Sequence, residues 1–224
     1  MKETPHMAQM LAELAPLARL LSAYSKGAER RWHALCWTLD QRLAAIVRRG
    51  GEPTIAAIRL AWWDAVLVEN DRTKGSGEPL VEAWRGIAAA ESAPRTESVI
   101  DGWRTLLGPE SLSPRDVAIF AEKRGGGLFR LIANDDDEAL TRAGTVWALW
   151  DLAGHASEPG VAALALEMAR DILAVPRLLA STDAPKPLRL LYGIAAADAR
   201  SGRLPDRGFE ARHYRALLWR GLFS

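Results

Sequence analysis

The chain has 224 residues, the size of one domain or at most two, and is long enough to bury a substantial core. Apolar residues make up 49% and charged residues 25%, and the formal net charge of +1 gives no overall reason to bind nucleic acid. The chain contains 39 Ala and 24 Arg against 3 Tyr and 4 Phe, which nearly excludes an all-β protein. Its single cysteine, Cys36, excludes an internal disulfide and a cysteine-based zinc site, and we expect an ordinary core residue there.

Neither a targeting segment nor a membrane span is predicted. The N-terminus starts no long apolar run, and the longest apolar stretches are far shorter than a bilayer requires. The expected location is therefore the cytoplasm. The charge is uneven, however, because residues 186–224 contain eight Lys or Arg and three Asp or Glu, a local balance of +5.

Apolar residues recur at spacings of three and four along most of the chain, which is typical of helices packed on one face. Proline and glycine mark several boundaries, and Ser-x-x-Asp at 113–116 and the acidic run 134–137 are N-terminal capping sequences. The pattern predicts about ten helices, at residues 7–24, 26–49, 53–70, 79–91, 96–107, 113–133, 138–155, 157–180, 185–200 and 209–223. No segment alternates as a strand would, so the prediction is a single all-α domain over residues 1–224, a helical bundle.

Three consecutive glycines, Gly125 to Gly127, lie in the middle of one predicted helix. Each glycine costs a helix about 1 kcal/mol relative to alanine. Two interpretations are equally favoured. One is a break between two helices, and the other is a kink that lets another backbone or a long ligand approach closely.

Few residues suggest metal or nucleophilic chemistry. The four histidines are scattered without paired spacing, and no nucleophile elbow, phosphate-binding loop or dinucleotide motif occurs. The acidic run at 134–138 is interpreted as a helix cap, because adjacent carboxylates at a helix start point in different directions. No metal site is predicted.

The most unusual local sequence is Arg-Leu-Ala-Trp-Trp-Asp at residues 59–64. Arg59 and Trp63 are four residues apart on one helix face, so a guanidinium and an indole can stack. The simpler interpretation is a core tryptophan beside an arginine whose head group reaches solvent.

This segment resembles the Arg-Leu-x-Trp-Trp-Arg sequence of squalene/phytoene synthase-like proteins. Residues 30–39 are similar to an early helix of that family, residues 120–126 to its Tyr-x-x-x-Val-Ala-Gly helix, and residues 144–150 to the helix that follows. The resemblance spans about residues 15–200. It implies the isoprenoid-synthase fold, a helical bundle around an apolar central cavity. It also makes Arg59, Trp62, Trp63, Phe120 and Gly126 candidates to line that cavity, with Arg59 held by a carboxylate.

The resemblance implies chemistry that this chain departs from. Active members hold magnesium ions with two Asp-x-x-x-Asp motifs on facing helices, and the metal neutralises a diphosphate leaving group. The positions that match the first motif are Ala44, Ala45 and Arg48, and those that match the second are His155 and Pro159. We therefore expect no metal-dependent catalysis and no cofactor.

The favoured functional interpretation is a divergent, non-catalytic member of the family, a pseudoenzyme that binds an isoprenoid or lipid or acts as an assembly factor with a protein partner. The alternative is an active prenyltransferase of isoprenoid biosynthesis, which would use magnesium. A third interpretation is a plain helical scaffold with a filled core. Paired carboxylates across the cavity would favour the enzyme.

Peripheral membrane contact is a further hypothesis for the basic C-terminal segment. On a helix, Tyr214, Leu217, Leu218 and Leu222 form an apolar stripe. Basic residues flank the stripe and could face anionic lipid: Arg212, Arg215 and Arg220. The simpler interpretation is that the stripe packs on the bundle.

Overall fold

Helices account for every regular element in the part of the chain that the computed structural model describes, which is residues 5–49, 51–108, 111–174, 184–203 and 212–215. The all-α prediction is confirmed. The α-helices are α1 (Pro5–Glu13), α2 (Pro16–Ser22), α3 (Gly27–Arg48), α4 (Pro53–Trp63), α5 (Pro79–Ile87), α6 (Ala93–Arg104), α7 (Pro114–Phe120), α8 (Gly127–Ala133), α9 (Glu138–His155), α10 (Pro159–Ala174) and α11 (Lys186–Ser201).

The prediction of one helix over residues 7–24 is wrong, because the chain breaks between α1 and α2. Pro16 has no N–H to donate and forces the preceding residue out of the helical region, and Ala15 has ψ 149°. The Gln41 side chain bonds the backbone groups that the break leaves unpaired. Its Oε1 accepts from the Ala15 N–H at 2.9 Å, and its Nε2 donates to the Glu13 carbonyl at 3.0 Å.

Side-chain caps set two helix starts as predicted. Asp137 accepts from the Ala139 N–H at 2.9 Å at the start of α9. Ser113 and Asp116 form a reciprocal capping box at α7. Elsewhere in the acidic run, Asp136 forms a two-pronged ion pair with Arg95 at 2.8–2.9 Å. The hydrogen bond from the Ala139 N–H to Asp137 supports the capping interpretation of the run.

Other boundaries differ by a few residues from the predicted ones. The helix predicted over 53–70 ends as a π-helical turn, Asp64–Val68, and the one predicted from residue 96 starts at Ala93. α10 is described to Ala174, so its predicted end at residue 180 lies outside the described residues. The same holds for most of the predicted helix 209–223, of which residues 212–215 are described and helical.

The three glycines permit close contact between two backbones. α7 continues through a π-helical turn, Ala121–Gly126, into α8. A Cβ on Gly125 would collide with the carbonyl oxygen of Gly144 in α9 and would lie 2.6 Å from the Ala148 Cβ. Of the two interpretations, the close approach of another backbone is the one confirmed.

Buried apolar side chains form one continuous cluster, with members from Met10 in α1 to Ala199 in α11. Cys36 lies within it as a free thiol, and burial raises its pKa well above the usual value. None of the described helices combines the length and the apolarity that crossing a membrane would require.

Candidate functional site

A cavity of about 680 Å³ lies between α3 and α9. Its wall follows one face of each helix, because residues three and four apart share a face. On α3 these are Trp37, Asp40, Gln41, Ala44, Ala45 and Arg48, and on α9 they are Trp147, Trp150, Asp151, Gly154 and His155. The break between α1 and α2, the helix α2 itself and Leu191 of α11 close the remaining side.

The wall is apolar over most of its area and charged in one region. Apolar side chains come from Pro16, Leu17, Leu21, Leu191 and the three tryptophans of α3 and α9. The charged groups are Asp40, Arg48, Arg124, Asp151 and His155. The interior is thus not completely filled by side chains, and its size suits a small organic ligand.

Arg124 is the centre of the charged region and joins the two helices. It comes from the π-helical turn, and its side chain is only 4% exposed. Its Nε and Nη2 donate to the two carboxylate oxygens of Asp40 on α3, both at 2.9 Å. Its Nη1 donates to Asp151 Oδ2 on α9 at 2.7 Å. The guanidinium therefore bridges two carboxylates on facing helices.

Aromatic rings fix the same guanidinium from other directions. Its central carbon lies 4.3 Å from the ring centroid of Trp103 and 4.6 Å from that of Trp147. Trp103 also donates from Nε1 to Asp40 Oδ1 at 2.7 Å. Cation–π contacts are strongest where water is excluded, so Arg124 has little freedom to leave this position.

The pKa values of the bridge follow from burial opposed by charge. Burial alone would lower the pKa of Arg124, but the two carboxylates outweigh it and raise the pKa above its usual value. Burial alone would raise the pKa of Asp151, but Arg124, His155 and Arg48 outweigh it and lower the pKa. Arg124 and Asp151 are therefore both charged at neutral pH.

Two further groups lie at the more exposed end of the charged region. The Arg48 side chain is 45% exposed, and its Nη2 is 3.7 Å from Asp151 Oδ2, too far for a hydrogen bond. His155 Nδ1 is 2.8 Å from the backbone carbonyl oxygen of Asp151. The guanidinium of Arg48 thus keeps donors that a ligand could use.

A buried donor in the cavity wall also lacks an acceptor. Trp37 is 5% exposed, and its Nε1 has no hydrogen-bond partner among the residues that the structure describes. An unpaired buried N–H costs about 1–3 kcal/mol. The nitrogen is itself shielded from solvent, so it offers no contact to a ligand in the cavity.

The residues of this site do not fit a magnesium ion. Mg²⁺ needs free oxygen ligands in near-octahedral geometry. Both oxygens of Asp40 and Oδ2 of Asp151 already accept from Arg124. Among the described residues, no group of three or more His, Cys, Asp or Glu side chains is placed to hold a metal.

Four of the five positions matched to the degenerate motifs line the cavity: Ala44, Ala45, Arg48 and His155. Pro159 does not, because it opens α10 beyond the end of α9.

The segment 59–64 lies elsewhere, and the prediction that Arg59 lines the cavity is wrong. Arg59 is exposed on α4. Trp62 and Trp63 stack edge to face on each other at 4.9 Å, and neither contributes to the cavity wall. α4 packs beside α3, α6 and the turns near them, so its aromatic residues serve the core on another side.

Phe120 and Gly126 also lie outside the wall. Phe120 packs behind Arg124, with its ring centroid 5.4 Å from the guanidinium carbon. Gly126 faces Thr141 of α9, and a Cβ there would be 2.8 Å from Thr141 Cγ2. Both residues support the site from behind and do not line it.

The bridging residues Asp40, Arg124 and Asp151 are not among the predicted site residues. A signal for them does exist in the sequence. Asp40 and Asp151 are lone carboxylates on apolar helix faces, four residues before Ala44 and His155. A buried acid needs a cationic partner, but the partner comes from a distant turn, which spacing along one helix does not reveal.

A second buried acid, Asp198 of α11, anchors the described part of the C-terminal segment. It accepts from Trp150 Nε1 at 3.1 Å and from Arg212 Nη1 at 2.8 Å, and its Oδ2 is 2.7 Å from His213 Nε2. Arg212 is therefore paired within the bundle, and membrane contact by this segment stays a hypothesis. Tyr214 of the stripe and the flanking Arg215 are exposed, and Leu217, Leu218, Leu222 and the flanking Arg220 lie outside the described residues.

Comparison with models of protein families, with curated proteins and with solved structures finds no match to this chain.

Proposed function

We propose that this protein is a non-catalytic relative of the squalene/phytoene synthases, built on the isoprenoid-synthase fold, and that it holds an isoprenoid or another lipid in the cavity between α3 and α9. The observation that carries the proposal is the cavity itself, about 680 Å³ with an apolar wall and one charged region. Such a cavity matches a molecule with an apolar chain and a polar head.

The sequence resemblance supports the proposal at the positions matched to the motifs. Ala44, Ala45, Arg48 and His155 face the cavity, where a diphosphate site would require carboxylates. A role as an assembly factor, in which this protein would bind a protein partner, stays a prediction.

Native mass spectrometry of the purified protein tests the proposal. We expect a bound species with the mass of an isoprenoid or lipid, displaced when Ala45, which lines the cavity, is changed to Phe. Ala61 is an exposed position on α4 and provides the matched control, so Ala61→Phe should keep the bound species. A protein without any adduct, or an adduct unaffected by Ala45→Phe, would contradict the proposal.

Prenyl transfer is the second candidate function. The observation in its favour is the position of two carboxylates, Asp40 and Asp151, across the cavity. They are the paired carboxylates on facing helices that a metal-dependent enzyme would need. Arg124 binds both, so each carboxylate already has a cation partner. We therefore retain the non-catalytic proposal.

A further inference from the structure

The space between Asp40 and Asp151 has the surroundings of a cation site. Carboxylates converge on it from α3 and α9, and indole faces lie on two other sides. The occupant is the guanidinium of Arg124, with a side chain only 4% exposed. A second cation placed there would meet this positive charge in a low-dielectric region, where repulsion is strong.

Arg48 is held much less closely than Arg124, although its guanidinium carbon also lies 5.8 Å from the ring centroid of Trp103. It is 45% exposed, and its nearest carboxylate oxygen is 3.7 Å away. It follows Gln41 and Ala44 along the cavity face of α3 and ends the charged region at the exposed side. An anionic group that reached Arg48 could accept two parallel hydrogen bonds without displacing an existing hydrogen bond.

We propose that Arg124 permanently fills the cation position between the two aspartates, so that the cavity binds an amphiphile with an anionic head through Arg48 and without a divalent metal ion. The ligand class is a single phosphate or carboxylate on an apolar chain. The head contacts Arg48, and the chain follows Ala44 and Ala45 toward the tryptophans. This inference rests on the proposed lipid-binding function and specifies its head group.

The inference is tested by measuring the binding of three compounds: dodecyl phosphate, dodecanol and inorganic phosphate. Binding is measured as a change in the intrinsic tryptophan fluorescence of the protein. We expect dodecyl phosphate to bind about tenfold more tightly than dodecanol, the effect of one charge-assisted contact. Its affinity should be the same in EDTA and in excess Mg²⁺. Inorganic phosphate should bind far more weakly, because it lacks the chain.

Neighbouring arginines provide a matched pair of variants. Arg48→Gln should reduce the affinity for dodecyl phosphate to that for dodecanol. Arg49→Gln removes the same charge from the next residue, which is exposed and does not line the cavity, and should leave the affinity within about twofold.

Each contrary result identifies what fails. Equal binding of dodecanol and dodecyl phosphate would overturn the head-group inference and leave lipid binding intact. A requirement for Mg²⁺ would overturn the role given to Arg124. Inorganic phosphate binding as tightly as dodecyl phosphate would overturn the amphiphile class. Failure of every amphiphile to bind would overturn the proposed function as well.

Discussion

At the scale of single residues, Arg124 joins the two helices of the site through hydrogen bonds to Asp40 and Asp151. The first prediction concerns the stability of a variant that lacks it. Arg124→Leu leaves the buried carboxylate of Asp40 without its cation and takes the hydrogen-bonded cation from the half-buried Asp151. Breaking a buried ion pair from one side costs about 3–5 kcal/mol. We expect the free energy of unfolding, measured by urea denaturation, to fall by that amount.

Arg59→Leu is the matched control, because Arg59 is exposed on α4 and its loss should change stability by less than about 0.5 kcal/mol.

The Arg124→Leu variant also tests whether Arg124 fills the cation position. Mn²⁺ should raise the melting temperature of Arg124→Leu, in which the two aspartates are free to ligate, and leave the wild type unchanged. Equal stabilisation of both proteins would contradict a filled cation position.

His33 is the second residue with a measurable consequence. It is buried beside Ser25, whose Oγ is 2.9 Å from Nδ1, and burial lowers its pKa from 6.5 to about 4. The unfolded chain therefore binds the proton more readily than the native protein. The stabilising contribution of neutral His33 is fully present above pH 6.5 and is lost as the pH falls toward 4. The free energy of unfolding then decreases by up to about 3 kcal/mol.

Urea denaturation between pH 6.5 and pH 5, above the main range of the carboxylates, isolates this effect. In the wild type the free energy of unfolding should decline across the window. In His33→Gln it should be lower at pH 6.5 and nearly flat. A slope that persists in His33→Gln would assign the pH dependence to other groups.

At the scale of elements, contact between the π-helical turn and α9 determines where Arg124 lies. Gly125 and Gly144 touch through their backbones, and a Cβ on either would collide with the main chain of the other helix. Gly125→Ala should therefore force the two helices apart. We expect a loss of at least the roughly 1–3 kcal/mol that overpacking costs, together with weaker dodecyl phosphate binding.

Gly86→Ala in α5 controls for the change of glycine to alanine in a helix. No atom outside the local helix lies within 4 Å of a Cβ at Gly86, so this variant should be neutral or stabilised by up to about 1 kcal/mol. If Gly125→Ala behaved like Gly86→Ala in urea denaturation, the backbone contact would not be important for the fold.

At the scale of the whole molecule, the arrangement of helices brings two acids and an arginine together, with the arginine bonded to both acids. Incubation with farnesyl or geranylgeranyl diphosphate and Mg²⁺ should therefore release no pyrophosphate above a heat-inactivated control. The physical reason is that Arg124 pairs with both Asp40 and Asp151, so its positive charge lies where a metal ion would be held and repels one. Clear turnover would contradict the non-catalytic proposal and favour prenyl transfer.

Local sequence determined most of the helices. Periodicity, proline starts and side-chain caps depend on residues within one or two turns, so α9 was predicted at its observed bounds and α3 within two residues. The break before Pro16 was missed although its signal is local, since proline disfavours a helical conformation at the preceding residue. The all-α class followed from composition and periodicity together.

Only the tertiary structure decided the site. Asp40, Arg124 and Asp151 are far apart in the chain, and their bridge depends on how α3, the π-helical turn and α9 pack. The Arg59 segment shows the converse, because an unusual local sequence lies away from the cavity. Local propensity acts through neighbouring residues, so it determines helices. Burial and charge pairing act through space, so the cavity and its bridging arginine emerge only when the helices are packed.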